Sequence, residues 1–140
     1  MKPEERTKPQ GLDTELPAGA REPAESYAFV AAPAPVLDEV QMANCVDLMG
    51  PDWVARSLRQ FAFDVEARLS ALDAASPPDL ARMAHGMISM AAHCGFTELL
   101  HVLENVQREA RRGAGVSRIG ELRAAGERAL TAMRSYTPRA

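Results

Sequence analysis

A chain of 140 residues with 46% hydrophobic and 5% aromatic side chains can bury one core of ordinary size, so a single folded domain is expected. A formal charge of −3 offers no general basic surface for nucleic-acid phosphates, and no stretch reaches the roughly 18 consecutive apolar residues needed to cross a bilayer. The opening MKPEERTKPQ lacks the apolar segment of a secretion signal, so neither a nucleic-acid nor a membrane partner is expected, and the expected location is cytoplasmic.

Composition changes near residue 36. Six of the ten prolines (Pro3, Pro9, Pro17, Pro23, Pro33 and Pro35) precede it, together with mixed charges and few large apolar side chains. Residues 1–35 are therefore expected to form a disordered tail, with Tyr27-Ala28-Phe29-Val30 as its one apolar patch. Residues 36–140 show no strand-like alternation, and helix punctuation recurs throughout. A first helix is expected from about Leu37 to Met49, ended by Gly50, with Pro51 opening the second. Along that second helix Val54, Leu58, Phe61, Val65, Leu69 and Leu72 follow three- and four-residue steps.

Ser76-Pro77-Pro78-Asp79 reads as an N-cap, a proline at the first helical position and a first-turn carboxylate, and so starts a third helix that runs to Gly95. A fourth carries Leu99, Leu100, Leu103, Val106 and Ala110 toward Gly113, and a fifth from about Val116 turns Ile119, Leu122, Ala129, Leu130 and Met133 inward. Four long amphipathic segments with short connections predict an all-α, antiparallel four-helix bundle, with the short first helix capping one end.

The third helix carries the chemistry. At about 100° per residue, Leu80, Met83, Ala84, Met87, Met90, Ala91 and Cys94 share one apolar face, and His85 points the other way among Ala81, Arg82, Ser89 and Ala92. An imidazole on a rigid helix, fenced only by short side chains, is open to another protein's active site as nucleophile or proton acceptor. A solvated surface histidine is the plainer alternative.

The segment AHGMISMAAHCGF resembles the signature of histidine phosphotransfer domains, H-x-x-K-G-x-[SA]-x-x-x-G. His85 takes the histidine position, Ala91 a small packing position and Gly95 the final glycine, while Ile88 replaces the lysine and Ser89 the first glycine. The spacing of apolar residues from about Val36 to Tyr136 is similar to that whole domain. The resemblance implies a phosphorelay intermediate without independent catalysis. His85 would accept a phosphoryl group from the aspartate of a response-regulator receiver domain and pass it to another receiver.

Partners would be receiver domains or a hybrid histidine kinase, with the protein itself a monomer. No cofactor of its own is implied, because Mg²⁺ would sit on the receiver. The docking face around His85 would include Arg82, Ile88, Ser89, Ala92 and His93. Ile88 is open between an apolar docking contact and an edge residue of the core, and Arg82 between a substitute cation and a solvated arginine. Lys2 and Lys8 are the only lysines, so cationic support in residues 36–140 falls to arginine, a planar fork rather than a point charge.

Two other classes are open. A helical adaptor that binds a receiver or kinase without carrying phosphate fits the missing lysine and glycine. A metal site from His85, His93, His101 and the cysteines has poor spacing, since His85 and His93 are about 80° and more than two turns apart, so no metal is expected. His101 reads as solvated, and Cys45 and Cys94, which form no C-x-x-C pair, as reduced thiols in or near the core.

Overall fold

The computed structural model describes residues 34–114 and 116–137. The expected tail, with its Tyr27–Val30 patch, lies outside the described residues except for Ala34 and Pro35. Five α-helices follow in order: α1 Glu39–Met49, α2 Pro51–Ser70, α3 Pro77–Cys94, α4 Thr97–Ala110 and α5 Ile119–Ser135. Short 3-10 turns at Leu72–Ala74 and Val116–Arg118 lead out of α2 and into α5. Leu72 thus lies past the end of α2, and α5 begins three residues later than Val116, although Leu72 is still buried. Among the described residues there is no strand, and the architecture is an antiparallel helical bundle with α1 across one end.

Each boundary has a local cause. Asp38 caps α1 by accepting from the Val40 and Gln41 N–H groups, which moves its start two residues past Leu37. Gly50, with φ of 90°, makes the corner before Pro51. Ser76 and Asp79 form a reciprocal capping box at the start of α3, Asp79 N–H donating to the Ser76 hydroxyl and Ser76 N–H to the Asp79 carboxylate.

The start of α4 has no side-chain cap. One of its orphan donors, the Glu98 N–H, is satisfied by the Pro35 carbonyl at 2.9 Å. The folded body therefore includes Pro35, which composition alone assigns to the tail.

Cross-helix pairs fix the directions. Glu98 and Glu109 of α4 meet Arg128 of α5 and Arg118 just before it, while Glu66 of α2 meets Arg134 and the Leu69 carbonyl accepts from Arg123. Helix α2 packs on α5, α5 on α4 and α4 on α3. Across the looser α2–α3 seam, Arg68 donates to the Met83 carbonyl at 3.4 Å, beside Gly86. The core between these layers holds Leu58, Phe61, Val65, Met87, Leu103 and Leu122, with Phe96 fully buried at the α3–α4 turn. No polar or charged side chain is buried among the described residues.

Gly95 joins the bundle to α1. Its φ is 86°, and a Cβ there would stand 2.7 Å from the Asp38 carbonyl oxygen and 3.0 Å from Gln41 Cβ. Gly113 has a similar φ of 79° with open space around it. Gly113→Ala is therefore expected to cost about 1 kcal/mol from backbone conformation, and Gly95→Ala about 2–3 kcal/mol or more because the backbone oxygen has nowhere to go. Urea unfolding of both variants checks this, and equal losses would remove the α1 contact from the account.

Candidate functional site

Core packing sets the direction of His85. Leu80, Met83, Ala84, Met87, Ala91 and Cys94 of α3 are buried, and turning the helix to hide His85 would expose several of them at about 1.5–3 kcal/mol for each large side chain. Surface contacts cannot offset that. His85 is accordingly exposed, as are Arg82, Ser89 and Ala92.

The imidazole is not unsupported, however. Gln107 of α4 places its side-chain amide 3.1 Å from His85 Nδ1. Sequence spacing alone does not suggest this partner. Because α3 and α4 fold back on each other at Gly95, a residue ten positions before the turn lies level with one about twelve positions after it, and that relation was the available signal. His85 Nε2 makes no hydrogen bond among the described residues.

The remaining candidates divide. Ser89 and Ala92 continue the exposed strip of α3 beyond His85 and keep it low. Ile88 is half-buried and packs against the core, so it is an edge residue at the rim of that strip. Arg82 pairs with Asp79 one turn back and is drawn into the cap of α3. The Ser76 hydroxyl, then the Ser76 N–H and Arg82, hold the Asp79 carboxyl below its usual range. His93 is half-buried, its ring 5.8 Å from Trp53 in an edge-on contact, and its carbonyl accepts from the Gln41 amide. It lies at the junction of α1, α2 and α3, near the end of the exposed strip. His101 is exposed.

The end of α4 and the turn after it carry further cations, whereas Arg82 of α3 is held by Asp79. Arg108, Arg111 and Arg112 line a shallow hollow of about 450 Å³ together with Glu104 and Gln107, the residue that touches His85. Gly113, in the left-handed conformation, closes the helix just past them.

The two thiols lie elsewhere. Cys45 Sγ and Cys94 Sγ are 3.9 Å apart, both buried where α1 crosses the end of α3. Burial first, then the Cys45 thiol beside it, pushes Cys94 up to about 12. Among the described residues no three His, Cys, Asp or Glu side chains gather to hold a metal ion, and no helix is long and apolar enough to cross a membrane.

Comparison with known proteins returns no match to a family model, a curated protein or a solved structure. Geometry and chemistry at the site therefore carry the functional reading.

Two outcomes follow from this placement. His85→Gln, at an exposed position, is expected to change unfolding free energy by no more than roughly 0.5 kcal/mol, measured by urea denaturation. The folded state holds Cys94 protonated above its ordinary value of 9.0, so the stabilisation is complete below that pH and is lost as pH rises toward about 12. Thermal unfolding across that alkaline window should fall less steeply for Cys94→Ala than for the parent, whereas parallel curves would contradict the assignment.

Proposed function

We propose that the protein is a phosphorelay intermediate that carries a phosphoryl group on His85 between receiver domains. The observation that supports it most is the imidazole itself, exposed on a packed helix with Nδ1 engaged by Gln107 and Nε2 open to a partner. A phosphotransfer bundle needs no pocket of its own. Positioning and charge stabilisation dominate phosphoryl transfer, and the partner's active site brings Mg²⁺ and its carboxylates.

The amide of Gln107 decides which ring nitrogen is available. With the amide nitrogen toward Nδ1, the neutral ring carries its hydrogen on Nε2 and has no free lone pair. Half a turn of the amide, which leaves its shape unchanged, lets Oε1 accept from Nδ1–H and frees the Nε2 lone pair. In the transfer step that lone pair attacks the phosphorus of the aspartyl phosphate. The N–P bond forms, the bond from phosphorus to the aspartate oxygen breaks, and the carboxylate leaves with the electron pair. The ring keeps Nδ1–H on Gln107, and attack by a second receiver's aspartate reverses the step.

Ile88 and Ser89 suit the docking side of this reading. Ile88 presents an apolar rim, and Ser89 and Ala92 are short enough for the partner's phosphoaspartate to reach the ring. The adaptor reading, binding without phosphate, draws on one observation: Ile88 stands where a lysine would support the phosphoryl group, and Arg82 is occupied by Asp79.

Incubation with phosphorylated receiver domains separates the two. A relay intermediate acquires acid-labile, base-stable label in the parent, and His85→Gln stays folded but unlabelled. Label that persists in His85→Gln would place the acceptor elsewhere, and a parent that binds receivers without label would favour the adaptor. Gln107→Leu, which removes the Nδ1 partner, is expected to slow labelling by about tenfold, equivalent to one hydrogen bond of about 1.4 kcal/mol. Unchanged labelling kinetics would contradict its role.

A further inference from the structure

We propose that Arg108, Arg111 and Arg112, beside Gln107 at the end of α4, form an oxyanion site that holds the phosphoryl group on His85. The phosphoryl part of this inference rests on the relay reading, whereas anion binding by the cluster does not. Arg111, the C-cap of α4, still follows the helix and lies about 40° round from Gln107 and one turn further on, closer to its line than Arg108 at about 100°, while Arg112 lies in the turn beyond. Arg111 is thus the guanidinium best placed toward the ring that Gln107 touches.

The charge of the cluster is uncommitted. Arg82, Arg118, Arg123, Arg128 and Arg134 are each paired with a carboxylate. Among the described residues, Arg108 bonds the neutral Asn105 side chain, at 2.7 Å, and no carboxylate, and Arg111 and Arg112 make no side-chain ion pair. One plain role for arginines here is to offset the negative end of the helix. That end amounts to about half an elementary charge, so three guanidinium groups against it and the single carboxylate of Glu104 leave a clear positive excess.

Guanidinium groups suit the ligand class. Their planar forks bind phosphate oxygens through paired, charge-assisted hydrogen bonds, and the open hollow of about 450 Å³ admits a tetrahedral oxyanion with its water. The cation absent from Ile88 on α3 is in this way supplied from the neighbouring helix. The same excess charge complements the carboxylate-rich surface that surrounds a phosphoaspartate.

The test titrates inorganic phosphate into the full chain at constant ionic strength, following Arg N–H and His85 ring resonances by NMR. Saturable shifts at Arg111 and His85 are expected in the parent. Arg111→Gln should weaken them about tenfold, Arg111→Lys should restore part, and Arg56→Gln, at an exposed site on α2, should leave them unchanged. No saturable shift in the parent, or equal shifts in Arg111→Gln, overturns the site.

On protein labelled by a phosphorylated receiver, Arg111→Gln should shorten the lifetime of the label by a similar factor. An unchanged lifetime overturns the proposed hold on the phosphoryl group, with His85 still the acceptor. Phosphate shifts of the expected kind without label from any receiver would keep the anion site and overturn the relay reading instead.

Discussion

At Gly95 the backbone turns once and three helices meet. Its N–H and that of Phe96 both return to the Ala91 carbonyl, ending α3, while its own carbonyl accepts from Asp38 N–H at 2.7 Å and so receives the start of α1. A positive φ and the absence of a Cβ make both possible, because any side chain would collide with the Asp38 oxygen. With this turn set, α3 and α4 lie antiparallel and in register, Phe96 fills the space beneath, and His85 comes level with Gln107. The site depends on the turn although the two are ten residues apart.

Packing and chemistry are divided cleanly along α3. Ala91 is fully buried and Gly95 belongs to the turn, so two of the small residues in AHGMISMAAHCGF serve the fold. His85 presents its imidazole to solvent with a cross-helix hydrogen bond to Gln107. The core asks nothing of His85 and has no polar side chain of its own among the described residues. A change at the ring can therefore alter function with little effect on stability, whereas a change at Gly95 is expected to act through stability.

The helices were legible because apolar residues recur at three- and four-residue steps between strong punctuation. Ser76, Gly50 and Gly113 mark ends that the backbone obeys. The direction of His85 was legible for the same reason, since it follows from the buried face of its own helix. What lay beyond one helix was not. Gln107 depends on the α3–α4 register, the arginines of α4 acquire meaning only through Gln107, and the edge-on contact of His93 with Trp53 joins residues forty positions apart. Composition reads side chains and does not register what Pro35 contributes, a backbone carbonyl that satisfies Glu98 N–H.

The account turns on which nitrogen of His85 is left open, and the ¹⁵N spectrum of the neutral imidazole reads this directly. The account predicts the Nδ1–H tautomer, with the Nε2 resonance at the position of an unprotonated nitrogen, and its loss in Gln107→Leu. A ring that carries its hydrogen on Nε2 in the parent, or a tautomer unaffected by Gln107→Leu, would contradict it.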